Sequence, residues 1–164
     1  MNIKKILDLK IGGQWLVSPA AKEIILCREN FSQEHKDIEK MVLKFSGEKI
    51  FPNVQKIEKL DEDFSRSIME EMGNLGLIGV DAPEKYGGTE LDKITACIVT
   101  EGIGFSGSSS FGCTFGVQTG IGSLGIVFFG TPEQKRKYLP KLMSGEWIAA
   151  YGLTEPSSGS DALS

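Results

Sequence analysis

Between Gly102 and Gly130 the chain places nine glycines in 29 residues, where average usage of about 7 % would give about two. Within that stretch Ser109, Gly112, Gly116, Gly120 and Ser123 recur at helical spacing. A helix here therefore carries one face with almost no side chains, while Phe111, Phe115, Ile121 and Leu124 fall on other faces. Each glycine inside a helix costs about 1 kcal/mol relative to alanine. Such a helix needs tertiary support, and something must lie close against its bare face. Two occupants fit: a neighbouring helix packed tightly, which is the plainer one, or a ligand cavity.

The flanking segments supply the neighbours. From Ser32, a candidate N-cap, Ile38, Met41, Val42 and Phe45 follow at helical spacing, and Pro52 ends or kinks that helix. A second helix starts near Asp61 or Asp63 with Phe64, Ile68, Met72 and Leu75 on one face and Gly76 near its close. Asp81–Gly88 is a loop by its turn residues. Thr89 to Asp92 opens a third helix in a Thr-x-x-Asp pattern, carrying Ile94, Cys97, Ile98 and Glu101. Thr131-Pro132-Glu133-Gln134 is the clearest helix start. Threonine caps, proline takes the first position where no N–H is needed, and glutamine closes a capping box. Pro140 is expected to end that helix, with a further turn over Lys141 to Ser144 and Gly145 closing it. Residues 1 to about 30 read as irregular, with turns at Gly12-Gly13 and Ser18-Pro19 around Trp15-Leu16-Val17. Strand-like texture appears only at Trp147–Tyr151. The fold class is all-α, a helical array running into a single strand at its C-terminal end.

Composition narrows the function. With 164 residues, 40 % hydrophobic and 24 % charged, the chain has the makeup of a globular domain with a real core. A net charge of -4 argues against nucleic acid or an anionic membrane surface. No segment reads as long and apolar enough to span a bilayer, and no secretory signal follows Met1, so a cytoplasmic location is expected. Cys27, Cys97 and Cys113 are odd in number and far apart, and read as buried thiols. No set of His, Cys, Asp and Glu has metal-ligand spacing.

Three motifs bear on chemistry. Gly120-Ile121-Gly122-Ser123-Leu124-Gly125 fits the G-x-G-x-x-G dinucleotide pattern, but no buried strand precedes it and no βαβ unit surrounds it, so it is a chance match. His35, the one histidine, sits among Glu34, Lys36 and Asp37 on what reads as a solvated first turn and is not catalytic. The run Tyr151-Gly152-Leu153-Thr154-Glu155-Pro156-Ser157-Ser158-Gly159-Ser160 leaves the strand with small hydroxyls and exposed N–H groups. It suits either a nest for a pyrophosphate, with Thr154 offering a hydroxyl to a planar ring, or a plain Ser/Gly/Asp turn.

"YGLTEPSSGSDA" resembles the flavin-binding segment of the acyl-CoA dehydrogenases, a Tyr/Phe-x-Leu/Val-Thr-Glu-Pro-x-x-Gly-Ser-Asp run. "LGLIGVDAPEKYGG" (75 to 88) resembles that family's loop between its second and third helices. "FGTPEQKRKYLPKLMSGEWIAAYGLTEP" (129 to 156) resembles its passage from helix into flavin loop. "GGQWLV" and "TEPSSGSDA" look most similar to the very-long-chain-type subgroup. The resemblance spans about residues 12 to 164.

It implies an irregular extension over 1–30, the family's helical N-terminal domain over 31–146, and the first strand and flavin loop of a middle β domain over 147–164. Met1 then reads as a native start and the other end as a cut. The implied reaction removes an α proton from a fatty acyl-CoA, with a long-chain one in fatty acid β-oxidation expected, and passes the β hydrogen to FAD, giving a trans-2-enoyl-CoA. The resemblance implies that Tyr151 through Ser160 bind FAD. Thr154 bonds the isoalloxazine edge, Leu153 contacts the ring through its backbone, and Ser160 lies where flavin and the CoA arm meet. The base comes from a later glutamate in the family, not from Glu155, so these 164 residues alone are expected to be inactive. The glycine face at 112 to 120 is then a place where the helices are expected to leave room for an acyl chain. Electron-transfer flavoprotein is the implied acceptor, and the whole protein a homo-oligomer. An acyl-CoA oxidase of the same architecture, or a non-catalytic helical interaction module, are the alternatives.

Overall fold

In the computed structural model the structure describes residues 27–162. The expectations placed on Gly12-Gly13, Trp15–Val17 and Ser18-Pro19 lie outside them. The chain divides into two units, Met1–Glu34 and His35–Ser164. In the described part of the first, Arg28–Asn30 forms a 3-10 turn, and the Cys27 N–H donates to Asn30 Oδ1 at 3.1 Å.

Seven α-helices follow among the described residues: α1 Gln33–Phe45, α2 Val54–Glu58, α3 Glu62–Asn74, α4 Lys93–Gly104, α5 Ser109–Thr119, α6 Leu124–Phe129 and α7 Pro132–Met143. The buried positions of α1, Val42 and Phe45, are among those its apolar spacing marks. Beyond Phe45 the helix loosens into a π turn, Ser46–Ile50, then tightens into a 3-10 turn, Phe51–Asn53, that holds Pro52. A proline lacks the N–H an α-helix needs there, so this is where the ladder changes register.

Helix α3 starts where Asp61 accepts a hydrogen bond from the Phe64 N–H at 3.0 Å, with Glu62 and Asp63 favourably placed at the positive end of the dipole. It closes in a Schellman motif. Gly76 adopts φ +73, its N–H bonds Gly73 O, and the Leu77 N–H bonds Met72 O. Ile68, Met69 and Met72 are buried, whereas Leu75, past the last turn, is exposed.

Helix α4 is capped by Asp92, which accepts from the Thr95 N–H at 2.8 Å, and not by Thr89. Thr89 belongs to the preceding loop, where its N–H bonds Gly79 O and its hydroxyl donates to Val80 O. The buried face of α4 is Thr95, Ile98, Val99, Gly102 and Ile103. Cys97 lies off that face, and Cys27, Cys97 and Cys113 are free but exposed, a correction to their reading as buried thiols.

Helix α7 carries the capping box in full: Gln134 N–H to Thr131 Oγ1 at 3.3 Å and Thr131 N–H to Gln134 Oε1 at 2.8 Å. Pro140 does not end it. The helix continues to Met143 because Leu139, Leu142 and Met143 are all buried, and that packing outweighs one missing helix bond. Gly145, at φ +77, closes it.

In packing, α2 lies on α3 and α5, α4 on α5, and α6 on α7. One core joins α1, α3, α4 and α5 through residues such as Val42, Met72, Ile103, Phe111 and Phe115. A smaller one gathers Ala82, Leu139, Leu142 and Met143. The expected strand at Trp147–Tyr151 is absent. A strand exists only with a ladder partner, and among the described residues the sole bridge is an isolated one between Glu155 and Ser158. The expectation about bilayer spans is also corrected, since 109–129 is long and apolar enough by composition. In the fold a turn at 120–123 splits it into α5 and α6, and Phe111, Phe115 and Gln118 are buried.

Candidate functional site

Two features of His35–Ser164 can take a ligand. The first is an apolar cavity of about 520 Å³ between α4 and α5, with Leu77, Ile78 and Val80 along one side. Its size falls within the range of small-molecule sites. Helix α4 turns one stripe toward it: Lys93, Ala96, Cys97, Thr100 and Glu101, spaced three and four apart. Helix α5 offers Phe115, Gly116, Thr119 and Gly120. A Cβ built on Gly112 or Gly116 would meet nothing within 4 Å. Among the described residues no helix is pressed against the bare face at Gly112 and Gly116, and Gly116 and Gly120 border the cavity. Lys93 and Asp81, both in the lining, pair with each other.

The second feature is the run Tyr151–Ser160, which leaves the domain almost wholly exposed. Its turn is closed by Glu155 N–H to Ser158 O at 2.8 Å and Ser158 N–H to Glu155 O at 3.1 Å. The Ser158 hydroxyl donates to the Asp161 carbonyl at 2.6 Å. These bonds occupy the N–H groups of Glu155 and Ser158, and Ser157, Gly159 and Ser160 are the other donor-bearing residues of the turn, with Thr154 ahead of it. Tyr151 and Leu153 present about half of their surface to solvent. Hydroxyls and N–H groups beside two apolar side chains fit a planar heteroaromatic ring joined to a phosphate.

The predicted site residues thus share one segment, exposed along nearly its whole length, and no second wall lies against it among the described residues. Glu155 is exposed and held in the turn by its backbone. The G-x-G-x-x-G match spans the α5–α6 turn, preceded by a helix and not a strand, as its reading as a chance match requires. His35 is less solvated than expected: its Nε2 lies 3.1 Å from Asp92 Oδ2, tying α1 to the cap of α4. Burial alone would raise the pKa of Asp92, yet the Thr95 N–H and hydroxyl, with His35, hold it below the usual carboxylate range. No group of three or more His, Cys, Asp or Glu residues that could hold a metal is found among the described residues.

Two polar features escaped the sequence reading. Glu58 accepts hydrogen bonds from the hydroxyls of Ser108, at 2.7 Å, and Ser110, at 2.6 Å, which lowers its pKa and ties α2 to the start of α5. Gln118 is fully buried and bonds the chain around Trp147–Ala149. Its spacing from Phe111 and Phe115, at i+7 and i+3, marks a polar residue on a buried face and was the available signal.

Residues 32–146 match the family model described as acyl-CoA dehydrogenase, N-terminal domain. A probable acyl-CoA dehydrogenase of Bacillus subtilis (strain 168) is 46 % identical over 160 residues, 98 % of this chain and 27 % of the relative. The mitochondrial isovaleryl-CoA dehydrogenase of Solanum tuberosum is 38 % identical over 137 residues, 82 % of this chain and 32 % of the relative. Among solved structures, an acyl-CoA dehydrogenase of Bacillus anthracis complexed with FAD superposes with a TM-score of 0.85 at 45 % identity, covering 93 % of this chain and 26 % of that one. The chain spans about a quarter to a third of the length of these proteins.

Proposed function

The chain belongs to the acyl-CoA dehydrogenase family, matching its N-terminal domain, and on that premise we propose that it supplies the helical domain of an FAD-dependent enzyme that α,β-dehydrogenates acyl-CoA thioesters. The observation that carries this is the order of parts. A helical domain matching the family over 32–146 leads directly into the run Tyr151–Ser160.

When bound, FAD supplies the acceptor for the substrate's β hydrogen, taken as hydride. In this reading Thr154 donates its hydroxyl to the ring edge, Leu153 meets the ring through its backbone, and Ser157, Gly159 and Ser160 offer N–H groups to the phosphates. Ser160 also faces the CoA arm. The cavity between α4 and α5 offers the acyl chain apolar walls at Phe115, Gly116 and Leu77. None of the described residues is assigned the base that takes the α proton. A base must reach that carbon within hydrogen-bonding range, and Glu155 sits in the exposed tail turn, held there through its backbone alone. Electron-transfer flavoprotein is the proposed acceptor, and a homo-oligomer the proposed assembly of the whole protein.

The finer assignment, to long straight-chain thioesters, rests on the "GGQWLV" and "TEPSSGSDA" wording alone. Relatives whose names give a substrate include isovaleryl-, 2-methylacyl- and isobutyryl-CoA dehydrogenases, and the solved structures include butyryl- and glutaryl-CoA dehydrogenases. Anaerobic mixing of the flavin-loaded enzyme carrying this domain with a panel of thioesters tests both levels. Bleaching of the visible flavin band by long straight chains is expected. Bleaching by short branched chains alone would overturn the chain-length assignment, and no bleaching by any thioester would overturn the function.

A further inference from the structure

Gln118 is 0 % exposed, and every polar atom of its carboxamide is bound to backbone. Its Nε2 donates to Leu142 O at 2.7 Å and to Trp147 O at 2.9 Å, and its Oε1 accepts from the Ala149 N–H at 2.6 Å. The opposite amide orientation would set Oε1 against two carbonyl oxygens, so the network fixes which way it points. The last two partners flank Ile148: the carbonyl before it and the N–H after it. The N–H and C=O of one residue on a parallel neighbouring strand would engage the same pair. One glutamine side chain thus does for this segment what a sheet would do. A second contact pins the same place. A Cβ on Gly122 would lie 2.4 Å from the Ala149 Cβ, so the α5–α6 turn closes on Ala149 to a distance that only glycine permits.

We propose that Gln118 is the positioning residue for the cofactor-contacting run: it fixes the chain at Trp147–Ala149 and thereby sets where Thr154 and the following turn are presented. The proposal rests on the flavin reading of Tyr151–Ser160 given above. Ala149 precedes Thr154 by five residues, a reach of at most about 18 Å. The error in Thr154's position therefore begins at Ala149, and a segment released there presents its donors over a wide volume. Gln118 touches neither cofactor nor substrate in this scheme. Its effect is to remove the disorder that binding would otherwise have to overcome.

The test uses the flavin-loaded enzyme carrying this domain, with hydrogen exchange over 147–160, melting temperature and flavin dissociation constant measured on each variant. Gln118→Leu removes all three bonds at similar volume. Met72→Ala, in the buried core of α3, serves as a control for general destabilisation. Gln118→Leu is expected to speed exchange over 147–160 and weaken flavin binding by about tenfold or more. Met72→Ala is expected to do neither at a matched loss of melting temperature. Gln118→Asn, which keeps the amide but draws it back by one methylene, provides a milder variant if the leucine does not fold, with faster exchange confined to 147–160. Unchanged exchange and flavin affinity in the Gln118 variants, or equal changes in Met72→Ala, would overturn the proposal. Wild-type enzyme that binds no flavin would sink the functional reading instead, and the exchange comparison would still uphold or overturn the clamp.

Discussion

At Gly102 helix α4 packs tightly against Val42 of α1, and adding one methyl there separates packing from propensity. A Cβ at Gly102 would lie 2.3 Å from Val42 Cγ1 and 2.9 Å from Cγ2, where carbon atoms in contact normally sit about 3.5–4.0 Å apart. Val42 is fully buried and β-branched, so in a helix it has essentially one rotamer and cannot swing aside. Relief requires the two helices to separate by about an ångström, which also strains the 2.8 Å bond from the Ser46 hydroxyl to the Gly102 carbonyl. Overpacking of this kind costs about 1–3 kcal/mol, and the steric misfit here places it at the upper end. Replacing glycine with alanine inside a helix returns about 1 kcal/mol, leaving a net loss of about 2 kcal/mol for Gly102→Ala. Gly112→Ala, with nothing within 4 Å, should instead gain up to about 1 kcal/mol. Val42→Ala alone should cost about 1–2 kcal/mol for its lost methyls, but in the double variant it should recover much of the Gly102→Ala penalty. Urea unfolding of this chain, with midpoints compared at constant m-value, measures all four. Gly102→Ala as stable as the wild type, or a double variant that is simply additive, would refute the reasoning.

Thr131→Ala removes the capping hydroxyl of α7 and should cost about 1 kcal/mol in the same unfolding assay. Asp92 has a lowered pKa in the fold, so its contribution is present above its unfolded value of about 3.9 and is lost as pH falls through the folded one. Melting temperature should accordingly decline on acidification below about pH 4, and Asp92→Asn should make that decline shallower. Thr154→Ala in the flavin-loaded enzyme should weaken flavin binding, or shift its potential, by about 0.5–1.5 kcal/mol without loss of fold. Unchanged spectrum, potential and turnover would show that this hydroxyl points elsewhere.

The parts of the fold that local chemistry specifies were legible in the sequence. Asp61 and Thr131 each have a donor to accept from three residues on, and both caps form. Gly76 and Gly145 both take the positive φ that their place after a helix requires. Legibility failed where two local solutions competed and a distant contact chose. Thr89 and Asp92 could each cap α4, and the loop carbonyls of Gly79 and Val80 claimed Thr89. Pro140 was overridden by the burial of Leu139, Leu142 and Met143. The glycine face borders space instead of a helix because the close approach fell one helix earlier, at Gly102 against Val42. For the candidate site, the donor-rich run was visible as a pattern. What holds its entry was not, because Gln118 meets Trp147 and Ala149 about 30 residues away.

A structure of the flavin-loaded enzyme with a non-reacting acyl-CoA thioester analogue tests the central claim most directly. The flavin ring is expected against Leu153 and Thr154, with Thr154 Oγ1 within hydrogen-bonding distance of the ring edge. The acyl chain is expected in the cavity between α4 and α5, alongside Phe115 and Gly116. A flavin held away from Tyr151–Ser160, or an acyl chain that leaves this cavity filled with water, would contradict it.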